Sequence, residues 1–283
     1  MLRTRIVTAV VAVGVVLVAL FLLPPPIWGL VTLLAVAGAA HEWALLAGFR
    51  KRTSLLFVAG TFLIALSLLF APSSQFARGW PDGIVLIVCG GAAVFWLVVA
   101  PFWVIRRWRA RSPLLAALVG WLVLIGAWVA LVELQARSPW LVLAAMAVVW
   151  IADTAAYFTG RAFGRSKLAP QVSPGKTWEG VYGAVAAVVV YTLALVPFAH
   201  AVGFSLPIDA LTIAAWIAFA AIVTAISVAG DLYESLLKRQ AGVKDSGHLL
   251  PGHGGILDRL DAQLAALPLL AIAAQLFLTK APA

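Results

Sequence analysis

Lys238, Arg239, Lys244, Asp245, His253, Asp258, Arg259 and Asp261 fall within one stretch, SLLKRQAGVKDSGHLLPGHGGILDRLD, which lies between two apolar runs. Ionisable groups beside a bilayer are costly unless they line a water-filled or ligand-filled site. Phosphate together with a metal ion is the ligand chemistry that suits this mixture. If the preceding apolar run continues as a helix past Gly230, then Asp231, Glu234, Ser235 and Lys238 share one face at spacings of three, four and seven. Pro251–Gly255 is then a loop, and Ile256 opens the next helix. The N–H groups of Gly254, Gly255 and Ile256 would project from that helix N-terminus as a site for phosphate oxygens. Asp258 and Asp261 sit in the first turns, where carboxylates and phosphates would repel one another. A divalent cation removes the conflict, and Mg²⁺ takes one or two carboxylates plus phosphate oxygens and water. Asp231 and Asp258, from neighbouring helices, are the expected metal pair, with Asp261 third. Lys238, Arg239, Lys244 and Arg259 would neutralise phosphate charge, and His253 is assigned to phosphate contact. Singly, each residue also has a plain reading. Acids at helix N-termini stabilise any helix by about 0.3–1 kcal/mol, and basic loop residues set membrane topology. The plain reading does not account for so many charges between Asp231 and Asp261.

A second polar block runs from Asp153 to Gly180, DTAAYFTGRAFGRSKLAPQVSPGKTWEG. Ser173–Thr177, SPGKT, resembles the end of a P-loop, but the pattern G-x-x-x-x-G-K-[ST] requires Gly where Pro170 stands. Ser173, Lys176 and Thr177 before a helix are still suited to phosphate, with Lys176 as a point charge. The alternative is Thr177 as a helix cap with Glu179 in the first turn. Asp153 lies inside an apolar span, where an acid implies function. Other motifs fail. His41-Glu42 lacks the second His of HExxH, because Leu45 stands there, and Glu42 is expected to pair with Arg50–Arg52 at a helix end. No Ser-His-Asp or Cys-His arrangement and no nucleic-acid reader is visible.

The elements that must hold these residues are membrane helices. The chain of 283 residues is 64% hydrophobic and only 11% charged; a soluble domain carries about 25% charged residues. The fold class is therefore an all-α polytopic membrane protein. Its spans run roughly over Ile6–Leu23, Ile27–Ala47, Leu55–Ala71, Ile84–Ile105, Leu114–Glu133, Trp140–Gly160, Glu179–Ala199, Leu211–Gly230 and Ile256–Thr279. Met1–Leu23 has signal-peptide features but a long apolar run followed by Pro24–Pro26, so it reads as a retained span. Trp28, Trp80, Trp103, Trp108, Trp140 and Trp178 fall near predicted ends, as an aromatic belt would place them. With the N-terminus cytoplasmic, every basic residue except Arg78, Arg137 and Lys280 falls on one side, and the C-terminus lies on the other. That asymmetry, not nucleic acid, explains the net charge of +9. The acids concentrate after residue 150, so residues 1–135 read as a packing scaffold and residues 136–283 as the part that carries the site. The lone Cys89 permits no internal disulfide.

From the residues alone, a membrane enzyme, a transporter of a phosphorylated solute and a structural protein all remain open. A transporter would place its charges near the bilayer midplane, and only Asp153 approaches that depth. The residues carry one further resemblance. Ser235, Lys238, Arg239, Lys244, Asp245, Gly247, His253, Gly254, Gly255, Asp258, Arg259 and Asp261 match S-x-x-K-R-x-x-x-x-K-D-x-G followed by H-G-G-x-x-D-R-x-D. Asp153, Ala156-Tyr157, Gly160, Gly164, Lys167-Leu168, Pro170, Ser173-Pro174, Lys176-Thr177, Glu179-Gly180 and Gly230-Asp231 extend it upstream. This pattern resembles the phosphatidate cytidylyltransferase family over residues 150–262. The resemblance implies a homodimeric enzyme of a bacterial-type inner (plasma) membrane, with a cytoplasm-facing site. It would join CTP and phosphatidic acid into CDP-diacylglycerol and pyrophosphate, using Mg²⁺ and a monovalent cation such as K⁺ as second metal. The nearest rival is a CTP-dependent lipid kinase on a similar scaffold.

Overall fold

A computed structural model describes residues 13–70, 79–201, 204–205, 209–249, 252, 254–277 and 279–280. Proline and short polar residues set where the helices start. α2 (Pro25–Leu46), α5 (Pro113–Arg137) and α6 (Pro139–Phe163) each open on proline, whose missing N–H is no loss in a first turn. Ser112 caps α5 by accepting from Leu115 N at 3.1 Å. Asp209 caps α8 (Ala210–Ala241) through Thr212 N at 2.9 Å, and the hydrogen bonds from Thr212 hold its carboxyl below the usual range. Gly242, left-handed at φ 73°, stops α8 after a last turn that contains Lys238 and Arg239. The remaining helices are α1 (Val13–Leu22), α3 (Lys51–Leu69), α4 (Asp82–Arg106), α7 (Trp178–Ala201) and α9 (Leu257–Phe277).

Among the described residues eight helices, α2 to α9, are long and apolar enough to cross a membrane. The protein is all-α and polytopic, as expected. Residues 6–12 of the expected first span lie outside the described residues, and α1 is the described part of it. α4 is interrupted by a π-helical stretch, Phe95–Val99, beside the ring of Tyr233.

α5 is the axis of the bundle, with every residue from Val123 to Ala130 buried. α2, α3, α4, α6 and α9 pack around it. A second apolar cluster of small residues, among them Ala152, Ala184, Val223, Ala262 and Ala266, joins α6, α7, α8 and α9. α9 thus belongs to both groups. The tryptophans depart from the expected belt. Of the six expected there, Trp28, Trp80 and Trp103 are buried, and Trp108, Trp140 and Trp178 face outward. Some interior indoles donate to carbonyls of other helices, as Trp43 to Ala116 O and Trp128 to Gly29 O, both at 3.0 Å. A buried N–H needs an acceptor, and only a neighbouring helix can supply it there.

Two two-stranded ribbons complete the fold. β1 (Lys167–Ala169) and β2 (Ser173–Thr177) form an antiparallel hairpin between α6 and α7, within the second polar block. β3 (Phe204–Ser205) pairs with β4 (Thr279–Lys280) at the opposite end of the bundle.

Candidate active site

The polar residues of the two blocks meet at one end of the helices α6, α8 and α9. Gly230 allows α8 to approach α9 there: a Cβ on it would lie 2.7 Å from both Asp261 O and the Ala265 side chain. Asp231 follows immediately. Its Oδ2 pairs with Lys176 Nζ of β2 at 2.5 Å, and its Oδ1 accepts from Ser235 Oγ at 3.3 Å. Asp153 on α6 lies within electrostatic reach of both Lys176 and Asp231. Asp261 faces the same group, within reach of Asp231, Asp153 and Lys176. Its carboxylate takes the Ala262 N–H at 2.7 Å and, among the described residues, no cation of its own. Lys176 thus pairs directly with Asp231, while Asp153 and Asp261 feel its charge at longer range.

A second set lies alongside on the shared face of α8. Lys238 Nζ reaches Glu234 Oε2 at 2.6 Å and Asp258 Oδ1 at 2.7 Å. Asp258 Oδ2 accepts the Ser246 and Gly255 N–H groups, each at 2.9 Å. Glu234 is buried, and its Oε1 has no partner among the described residues. Nor does the indole N–H of Trp96, and both residues border a void with room for about one water.

The helix N-terminus differs from expectation. Gly255 N–H is taken by Asp258, Ile256 N–H by Glu42 Oε1 at 2.9 Å, and Leu257 N–H by Glu42 Oε2 at 2.8 Å. Protein carboxylates, not an open cradle, satisfy these amides. Glu42 itself departs from its expected pairing with Arg50–Arg52. It is 1% exposed and sits beneath the loop. The helix N-terminus supplies the positive end that a buried carboxylate needs.

The hairpin explains the second block. Thr177 is buried and caps α7 by accepting Gly180 N–H at 3.2 Å, and Glu179 accepts Ser166 N–H at 3.1 Å. Ser173 is half-buried at the start of β2. Arg239 donates to Val172 O at 3.4 Å and braces the hairpin. Gln240 donates to Trp108 O at 2.7 Å, and Arg107 reaches Gln171, so the α4–α5 loop leans on the same end. Lys244, Asp245 and Arg259 are exposed on the rim, Gly254 adopts φ 84° beside Asp258, and His253 lies outside the described residues.

Among the described residues no three His, Cys, Asp or Glu side chains already stand close enough to hold a metal ion. The donor chemistry nonetheless suits one. Asp231, Asp258 and Asp261 are oxygen donors from two packed helices, and ammonium groups now occupy the cation positions at Asp231 and Asp258.

Membrane-length helices with an acid–lysine cluster at one end define a membrane-embedded enzyme that handles charged substrates. A model of the Cytidylyltransferase family matches residues 3–277, and the chain belongs to that family; it is a nucleotidyltransferase. It is 40% identical to a protein of Pseudomonas aeruginosa named phosphatidate cytidylyltransferase, over 96% of both chains. A protein of the same name from Haemophilus influenzae is 35% identical over 95% of this chain and 96% of its own. One from Thermotoga maritima is 44% identical over 119 residues, 42% of this chain and 43% of its own.

Proposed function

We propose that this protein transfers the cytidylyl group of CTP to phosphatidic acid, giving CDP-diacylglycerol and pyrophosphate for phospholipid synthesis. The observation that carries the reading is the convergence of Asp153, Lys176, Asp231 and Asp261 at one end of an apolar bundle, beside Lys238 and Asp258. A reaction between a water-soluble nucleotide and a lipid needs its charges at that boundary. The names of the relatives matched over nearly the whole chain support the substrate pair.

The phosphatidate phosphate is already ionised near neutral pH, so no general base is required. A lipid phosphate oxygen attacks the α-phosphorus of CTP, the bond to the β-phosphate oxygen breaks, and pyrophosphate leaves. The protein contributes position and charge. Asp231, Asp258 and Asp261 would hold Mg²⁺, with K⁺ as a second cation; bound there, the metal would neutralise phosphate oxygens. Lys176 and Lys238, which now neutralise Asp231 and Asp258, would turn to the phosphates, with Arg239, Lys244, His253 and Arg259 beside them. Asp153 orients Lys176, while Thr177 and Glu179 fix the strand that presents it. The site faces the cytoplasm of a bacterial inner membrane, and the working form is a homodimer.

The test uses purified protein in detergent with Mg²⁺, phosphatidic acid and CTP labelled at the α-phosphate. Label entering the organic phase, and failing to do so in Asp231→Asn or without Mg²⁺, supports cytidylyl transfer. If α-label stays aqueous while γ-label enters lipid, the protein is a lipid kinase and the proposal falls. Asp231 is chosen over Asp258 because Asp258 also anchors two backbone amides, so its loss would confound chemistry with folding.

A further inference from the structure

We propose that Glu42 is a positioning residue for the transfer site. It latches the loop between α8 and α9 in the shape that presents Asp258 to Lys238. This inference rests on the cytidylyl-transfer reading. Glu42 comes from α2, in the half of the chain outside the resemblance, and its first loop partner lies 204 residues further on. Its carboxylate collects three donors: Ser246 Oγ at 2.9 Å, Ile256 N–H at 2.9 Å and Leu257 N–H at 2.8 Å.

Ser246 is the joint of this latch. Its hydroxyl donates to Glu42 and accepts Asp258 N–H at 3.3 Å, while its own N–H donates to Asp258 Oδ2 at 2.9 Å. Glu42, Ser246 and Asp258 therefore form a connected network, in which Asp258 is left with Oδ1 directed at Lys238. Ser246 and Glu42 are both buried, so water does not substitute for either contact.

Two glycines of the motif are explained by the same carboxylate. A Cβ on Gly247 would meet Glu42 Oε1 at 2.5 Å, and one on Gly255 would meet Glu42 Oε2 at 2.5 Å and Ser246 Oγ more closely still. The glycines at 247 and 255 leave room for Glu42 rather than for a ligand. A simple cap would need one acceptor at the helix end. Here both carboxylate oxygens are used, and one of them also holds the side chain of Ser246, in the loop well before the helix begins at Leu257.

The test compares wild type, Glu42→Gln, Ser246→Ala and the double variant. Gln keeps the shape but offers one acceptor in place of two. Kinetics are normalised to folded protein, and amide hydrogen exchange is followed over residues 242–258 and over α5 as an internal reference. The latch requires faster exchange confined to residues 242–258. It also requires kcat/KM to fall by about a hundredfold in Glu42→Gln. The double variant must lose no more than Glu42→Gln alone, because both residues act through one network. If exchange rises equally in α5, or if only the active fraction falls while kcat and both KM values per folded molecule are unchanged, Glu42 is a stability element and the proposal fails. Unchanged exchange in the loop also overturns it. Should Glu42→Gln not fold, Ser246→Ala alone must show the local exchange and the kinetic loss. If wild-type protein transfers no cytidylyl group yet the exchange responds locally, the functional reading falls and the latch on the loop stands without a role in transfer.

Discussion

Two lysines of this site look alike in sequence and do different work. Lys238 lies between Glu234 and Asp258, whose side chains are 6% and 9% exposed. Replacing it with methionine leaves two nearly buried carboxylates without a cation, a defect of about 3–5 kcal/mol. Lys238→Met is therefore expected to lower the unfolding temperature in detergent sharply. Glu234→Gln in the same chain should restore part of that loss by removing one of the two charges. Lys176 is more open, and its bridge to Asp231 joins an edge strand to a helix. Lys176→Met should change stability by about 1 kcal/mol or less, while transfer falls by about a hundredfold, the usual effect of losing one preorganised charge. A common loss of stability in both variants would refute the division. At this scale the sequence revealed which residues carry charge but not which oxygens are already taken. Asp231, Glu234, Ser235 and Lys238 share a face because helical spacing requires it. Nothing local revealed that Glu42 answers amides more than two hundred residues away, because its nearest cations are Arg50–Arg52 and the fold turns it inward.

At the scale of elements, the site depends on the closeness of α8 and α9. Gly230 is the point of contact, and backbone and side chain on α9 both lie within 2.7 Å of where a methyl group would go. Gly230→Ala should separate Asp231 from Asp261 and cost about 1–3 kcal/mol of stability through overpacking. Activity should fall further than that destabilisation alone accounts for. An alanine variant with wild-type kinetics would show that the two acids need not be adjacent. The long helices were legible in the sequence because apolar runs of membrane length admit few other structures. The β1–β2 hairpin was not. SPGKT contains proline and glycine, which argue against a strand, and the pairing is held by tertiary contacts, among them Arg239 to Val172 O and Glu179 to Ser166 N–H. The tryptophan belt failed in part for a related reason. Trp28, Trp80 and Trp103 sit at helix ends in sequence, but neighbouring helices cover them.

Across the whole molecule, polarity is sorted to one end. α8 has 32 residues, about 48 Å of helix at 1.5 Å per residue, against a hydrocarbon core of about 30 Å. Its last turns, with Lys238 and Arg239, therefore extend past the apolar layer. The α4–α5 loop, the hairpin and the loop before α9 contact this same end, through Gln240, Arg239 and Asp258 respectively. These segments contain Arg107, Arg109, Arg111, Arg165, Lys167, Lys176 and Lys244, whereas Asp209 caps the other end of α8. Under the positive-inside rule, the proposed cytoplasmic site makes a labelling prediction. The native thiol, Cys89, is buried, so introduced cysteines can be read against a silent background. Arg109→Cys and Lys244→Cys, both at exposed positions, should react with a membrane-impermeant maleimide in inside-out vesicles and not in right-side-out ones. Asp209→Cys should show the reverse. Labelling of Lys244→Cys from the outer face would invert the topology. CTP could then not reach the site from the cytoplasm, so the same result would also remove the proposed nucleotide supply.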